Sequence, residues 1–427
     1  MKSILVTVTD GWSYRYLFCT GVYEYLKSNN KLTLVCSEYY FEKLSGIDAG
    51  NIEVKRIKVV KSQFIDNVIS AKNYVFRIYN NFKISKFYIS KLKFHQKLLV
   101  KSLNLFILLF GHYILLILNF CLDYLISNSR HKIDDYSRFD TVLFLSPYSY
   151  EEVELSKQIK SKDIKKIFIL PSWDNIYKYH LEDEYTKYIV WGIDQKTFLL
   201  SIGIPEAKIL CLGGISQYIY NHKKTFSFYN NNQVNFRILY ATVTERIFKN
   251  EFLFVKKLVT NIENGYYGNS VELLIRLHPA DSFQKYDSLQ SLKVKVSNKT
   301  TTTSLSDWNV QKDYFESQVA DILSSSLIIT VASTMTLDCI LLDRLTINYR
   351  PDFCKEESDY YQFEHYASIT NSGLLPILSS LDELNEYILD TINGINKYDS
   401  KLINAISSAT SIHKFVDVEN YFTKFLD

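Results

Sequence analysis

Leu327 to Arg350, LIITVASTMTLDCILLDRLTINYR, brings a β-branched run, a hydroxyl-rich turn and a helix start together in one short span. Leu327-Ile328-Ile329-Thr330-Val331 is the kind of short apolar run that a parallel sheet buries on both faces. Ala332-Ser333-Thr334 follows where a strand hands over to a helix, which is expected from about Thr336 to Leu342. The first N–H groups of a helix have no partner inside it. Ser333, Thr334 and Thr336 are therefore candidate ligands for phosphate oxygens. The competing reading, that Ser333 or Thr334 simply caps the helix, stays open at this level.

A second apolar run, Val271 to Leu277, ends in His278-Pro279, where the proline lacks a donor and stops regular pairing. His278 is thus delivered at the carboxyl end of a strand, the edge at which open α/β sheets bind ligands. The pair Arg276-Leu277-His278-Pro279 and Ala332-Ser333-Thr334-Met335-Thr336-Leu337-Asp338 resembles the His-Pro and Ser/Thr motifs of bacterial surface-polysaccharide transferases of the GT-B type. That group includes sialyltransferases, polysialyltransferases and CDP-glycerol glycerophosphotransferases. The resemblance implies an α/β fold of two Rossmann-like domains facing a cleft. It also implies donor binding by Arg276, His278, Ser333, Thr334 and Thr336, with His278 catalytic.

Length and composition agree with such an architecture. At 427 residues the chain exceeds the size at which one core usually stops growing, so two domains are expected. A net charge of +3 gives no reason to expect a nucleic-acid partner. The six cysteines contain no C-x-x-C and no clustered histidines, which reads as a reduced, cytoplasmic set without a zinc site. The run Ile4 to Val8 is too short for a signal peptide and fits a first core strand.

After that strand come the turn Thr9-Asp10-Gly11, a helical pattern from Tyr14 to Leu26 and a strand at Leu32 to Cys36. No G-x-G-x-x-G is present there, so a dinucleotide site lacks its phosphate loop. Asp10-Gly11 is similar to the acidic-residue-plus-glycine motif of the sialyltransferases, which implies Asp10 as the base that deprotonates the acceptor and Gly11 as part of the acceptor site. The alternative is a turn or cap residue.

From Lys55 to Lys101 there are twelve Lys or Arg against one acid, Asp66. Leu103 to Ile126, LNLFILLFGHYILLILNFCLDYLI, follows with no Lys or Arg. Its length is about that of a bilayer span, but Asn104, His112, Asn119 and Asp123 oppose a true crossing. Two readings compete for this helical insertion of about 61–128: a buried helical pair broken near Gly111, or peripheral attachment to an anionic membrane surface, here the inner face of the plasma membrane.

The α/β pattern resumes at Thr141, and the strand Ile167 to Leu170 leads into Pro171-Ser172-Trp173-Asp174-Asn175. This element, with Lys178 after it, resembles the Ser-Trp-Asp-Asn element of GT-B-like surface-carbohydrate proteins. The glycine expected after the lysine is Tyr179 here. A Trp face suits a sugar ring, and Asp and Asn suit its hydroxyls, so Trp173, Asp174, Asn175 and Lys178 are candidate acceptor ligands. Asp174 is the second candidate base. Against this stands Trp173 as core and Asp174 as a cap. The polar stretch 217–235 is the expected linker, dividing an acceptor domain, 1–216, from a donor domain, 236–427. In the latter, Thr300 to Ser306 reads as a loop. Asp359 to Tyr366 resembles the same group's Glu-His-Tyr element, implying donor contacts from Glu364 or His365, where simple packing of His365 is the alternative.

The expected activity is transfer of a sugar from a nucleotide-activated donor, a co-substrate rather than a resident cofactor, to a glycan or lipid-linked glycan acceptor, without a metal. A CDP-glycerol-type phosphotransferase and a sugar-nucleotide epimerase share the expected fold. A non-catalytic membrane-associated scaffold is the alternative of another class.

Overall fold

The computed structural model describes residues 1–47, 52–57, 62–85, 89, 94–127, 136–181, 184–214, 236–244, 247–278, 281–297, 314–350, 360–406 and 418–426. The linker expected over 217–235, proline 279, the loop at 300–306 and residue 359 lie outside them. The chain forms two compact units: residues 1–216 with 363–365 and 409–427, and residues 217–362 with 366–408.

The first unit is built on β1 (Ser3–Val8), β2 (Lys31–Cys36), β3 (Ile52–Arg56), β4 (Thr141–Phe144), β5 (Lys165–Ile169), β6 (Lys187–Val190) and β7 (Ile209–Cys211), in the order β3-β2-β1-β4-β5-β6-β7. The second is built on β8 (Phe236–Ala241), β9 (Val271–Arg276), β10 (Val294–Ser297), β11 (Leu327–Thr330), β12 (Thr346–Tyr349) and β13 (Ile377–Leu378), in the order β10-β9-β8-β11-β12-β13. The pairings are parallel in both sheets. Each is a Rossmann-like sheet, and its strand order reverses once, between β1 and β4 and between β8 and β11. Helices cover the faces, so β4 and β11 are buried at every position and carry no polar alternation.

Three expectations are corrected. The helix expected from Tyr14 to Leu26 is two helices, Gly11–Phe18 and Val22–Asn29, because Gly21 takes φ +80 between them. The insertion between β3 and β4 holds the helices Gln63–Tyr79 and Phe94–Ser127, and the second runs unbroken through Gly111. A Cβ on Gly111 would sit 2.6 Å from the Tyr79 ring, so this glycine serves close helix approach rather than a break. Finally, residues 363–365 and 409–427 group with the first unit rather than with the donor domain. The terminal helix Val418–Leu426 stacks Phe422 on Tyr25 at 5.5 Å, and Tyr16 donates to Tyr421 at 3.4 Å. Its apolar face is finished by the first unit's helices, and no local pattern announces that partner.

Candidate functional site

In the second unit β9 and β11 flank β8. Ala241 lies opposite Arg276 and Tyr240 opposite Ile329, so the chain leaves β9 at His278 and β11 at Ala332 at the same level. Two strand spacings separate them, on the order of 10 Å. The backbone N–H of His278 is held by Thr242 Oγ1 at 2.8 Å. The turn after β11 is equally constrained. Ala332 stands at φ +35, a conformation uncommon for a residue with a Cβ, and its N–H donates to Asn348 Oδ1 at 3.1 Å and Tyr361 OH at 3.3 Å. Ser333 and Thr334 follow, both half-buried, and the Ser333 hydroxyl accepts from Met335 N at 3.2 Å.

Two predicted donor ligands do other work. Thr336 is fully buried, and its hydroxyl joins Thr330 Oγ1 at 2.7 Å, Tyr366 OH at 2.8 Å and Asn348 Nδ2 at 3.3 Å. This closed network rigidifies the turn and leaves Thr336 inside the core rather than open to an anion. Arg276 is likewise buried, pairing with Asp321 Oδ2 at 2.5 Å and reaching Ser317 Oγ at 3.3 Å. Its guanidinium is an internal counter-charge, not an open phosphate receptor.

In the first unit Asp10 ends the loop after β1, beside the order reversal. It N-caps Gly11–Phe18, with Oδ1 accepting from Ser13 N at 2.8 Å and Oδ2 from Ser146 Oγ at 2.5 Å. The capping role weighed from the sequence is therefore present, and it fixes the carboxylate at the ligand-binding edge, with Gly11 as the buried first helical residue. Sequence reasoning missed its neighbour Glu152. This fully buried side chain accepts from Thr9 Oγ1 at 2.8 Å and from Ser146 N at 3.1 and 3.0 Å. Burial, and after it the charge of Asp10, outweigh those bonds and push its carboxyl up to about 8. A legible signal existed: Ser149 accepts from Glu152 N at 3.2 Å, the start of a capping box, although the carboxylate turns across to the β1 loop.

The Trp173 element is a packed cluster. Trp173 is 1% exposed and meets His365 edge to face at 5.2 Å, so its ring offers no open face to a sugar. Asp174 pairs with Lys178, and Asn175 N donates to Ser172 O at 3.1 Å in the turn. Burial opposes ionisation of Asp174, yet Lys178 and His365 bring it down to about 2. Burial also lowers His365, to about 4, so at neutral pH Lys178 is the cation that holds Asp174 ionised. A carboxylate so placed is a poor base. Glu364 accepts from Lys83 N at 2.7 Å. Glu364 and His365, expected at the donor, thus belong with Trp173, Asp174 and Lys178 in the first unit.

Among the described residues no group of three His, Cys, Asp or Glu could hold a metal ion. A cavity of about 700 Å³, lined by Phe76, His112, Leu115, Asn119 and Ile204 among others, includes none of the predicted site residues.

No family model and no curated protein matches this chain. Solved structures do. A putative UDP-N-acetylglucosamine 2-epimerase from Listeria monocytogenes superposes with a TM-score of 0.55 at 12% identity, over 100% of this chain and 96% of that one. UDP-GlcNAc 2-epimerase from Neisseria meningitidis, bound to UDP-GlcNAc, gives 0.52 at 13% identity over 99% and 100%. Arabidopsis thaliana UGT89C1, complexed with UDP, gives 0.51 at 11% identity over 100% and 99%. At these identities the likeness is one of fold: the chain has the two Rossmann-like domains of a GT-B protein.

Proposed function

We propose that this chain moves a sugar from a nucleotide-activated donor to a glycan or lipid-linked glycan acceptor of a surface polysaccharide, in the cytoplasm. The observation that carries the reading is that candidate groups stand at the carboxyl ends of strands at or next to the order reversal of each sheet: Ser333 and Thr334 after β11, with His278 one strand beyond β8 after β9, in one, and Asp10 after β1 in the other.

In this reading His278 and the hydroxyls of Ser333 and Thr334 hold the donor's phosphate. The acceptor oxygen attacks the anomeric carbon, the bond from that carbon to the phosphate oxygen breaks, and negative charge grows on the departing nucleotide. Fixed donors aimed at that oxygen stabilise the charge as it develops. The acceptor's proton passes to Asp10. Glu152, pushed up to about 8, stays protonated at neutral pH and adds no second charge beside Asp10.

In this proposal hydrogen bonds from protein groups, without a metal ion, stabilise the phosphate. Turnover surviving EDTA is the expected result, and loss restored by Mg²⁺ refutes that part. The main test is thermal denaturation with CMP, CDP, UDP, GDP and their activated sugars, followed by transfer assays with the nucleotide that binds. A ligand at a hundred times its Kd adds about 2.7 kcal/mol of stability, a clear shift. No shift with any nucleotide refutes the reading in favour of a non-catalytic scaffold. A second reading, epimerisation of a UDP-sugar, draws on the fold likeness to the two epimerases. It predicts an altered sugar from donor alone, with no acceptor present.

A further inference from the structure

The helix Phe94–Ser127 has two unlike sides. One packs: Ile107, Leu115, Leu122 and Ile126 are buried, Tyr74 OH donates to Asn104 Oδ1 at 2.6 Å, and Leu122 and Ile126 join Ile65, Val68 and Val153 in one apolar cluster. At about 100° per residue these positions form one stripe. On the opposite side Leu105, Leu109, Tyr113, Ile117, Phe120 and Tyr124 recur every three or four residues and are 62–72% exposed. With their exposed apolar neighbours they make a patch on the order of 1,000 Å², well beyond what a soluble monomer's surface normally carries.

Charge identifies what covers it. Residues 67–122 contain no Asp or Glu, and six lysines, Lys83, Lys86, Lys91, Lys93, Lys97 and Lys101, precede the apolar face. Lys83 and Lys101 are exposed. The next acid, Asp123, is bound to Lys157 at 2.8 Å. A second copy of this segment would bring six lysines against one carboxylate, Asp123, already paired with Lys157, whereas an anionic lipid surface brings both apolar depth and negative charge. The packed stripe decides the orientation. The helix is about 50 Å long and held to the first unit from Asn104 to Ile126, so crossing a bilayer would break the Tyr74–Asn104 and Lys157–Asp123 contacts. We infer that the outward face of this helix lies in the plane of an anionic bilayer surface, its apolar side chains in the acyl region and Lys83 and Lys101 at the headgroups.

Flotation of the full chain with phosphatidylcholine vesicles, with and without phosphatidylglycerol, tests this. Binding should require phosphatidylglycerol and weaken as NaCl rises, since screening shortens the reach of the lysines. Leu109→Glu combined with Phe120→Glu should weaken it about tenfold or more. The melting temperature should hold, because both positions are exposed. Lys83→Glu with Lys101→Glu should weaken it while leaving the apolar face intact. Absence of flotation overturns the proposal. So does equal binding to neutral vesicles without salt dependence. Retention after alkaline carbonate extraction overturns the in-plane orientation in favour of a span. A dimer in solution that Leu109→Glu and Phe120→Glu break, with no vesicle binding, assigns the face to a second copy and also overturns it. Partitioning is read without turnover, so this test and that of the proposed reaction fail separately.

Discussion

Replacing Glu152 with Gln probes the loop-to-loop contact beside Asp10 through its proton balance. Glu152 is fully buried, and burial raises its carboxyl from 4.5 to about 8. Between those values the folded protein keeps the proton and the unfolded chain has released it. The native state therefore binds more protons, and stability falls as pH rises through that window. Each unit contributes about 1.4 kcal/mol, so wild type should lose on the order of 3 kcal/mol between pH 5 and 7.5 from this group alone. Glutamine has the same shape and does not titrate. Whatever constant offset its amide introduces against Thr9 and Ser146, the difference between Glu152→Gln and wild type should move in the variant's favour by that amount across the range. Urea denaturation at pH 5, 6, 7 and 7.5 measures it. A difference that stays flat with pH would mean that Glu152 is ionised in the fold, and the argument that it spares Asp10 a second charge would fail.

Asp10→Asn separates cap from base: asparagine caps as well as aspartate, so stability should stay within about 1 kcal/mol. Transfer should fall by about 100-fold or more if the carboxylate takes the acceptor's proton, and unchanged turnover in a steady-state assay would leave only the cap. His278→Ala should cost on the order of 2–4 kcal/mol in kcat/KM, expressed mainly in kcat, while Ser333→Ala should weaken nucleotide binding by about 1 kcal/mol in a calorimetric titration. Arg276→Ala should destabilise by about 3–5 kcal/mol, since it strands Asp321 in a largely buried site; a variant of normal stability with lost nucleotide affinity would restore Arg276 as a ligand. Burial lowers His365 to about 4, so the unfolded chain takes up its proton first on acidification, and stability should be lost as pH falls from about 6.5 towards 4; His365→Gln should flatten that limb of a denaturation series.

Local patterns carried the strands and the turns after them. LIITV, and VELLIR apart from Glu272 and Arg276, are apolar runs that read as strands covered on both faces, and that reading implied helices on each side, parallel order and functional residues at carboxyl ends. Asp10, His278, Ser333 and Thr334 stand at such ends because their places follow from where a strand stops, a property of neighbouring residues. What depended on distant partners was not legible. Arg276 is drawn inward by Asp321, forty-five positions later. Thr336 is closed off by Asn348 and Tyr366, and Trp173 is covered by His365. Gly111, which reads as a helix breaker, is the point where Tyr79 needs room. Glu152 acquires its proton only because β1 and β4 lie side by side and bury it near Asp10. The sequence by itself determined which segments are strands and which residues end them, because that is set by side-chain pattern over a few residues. Only the tertiary structure decided which polar groups are spent on one another and which apolar face of the long helix stays open, because pairing and burial are set by whatever the fold brings alongside.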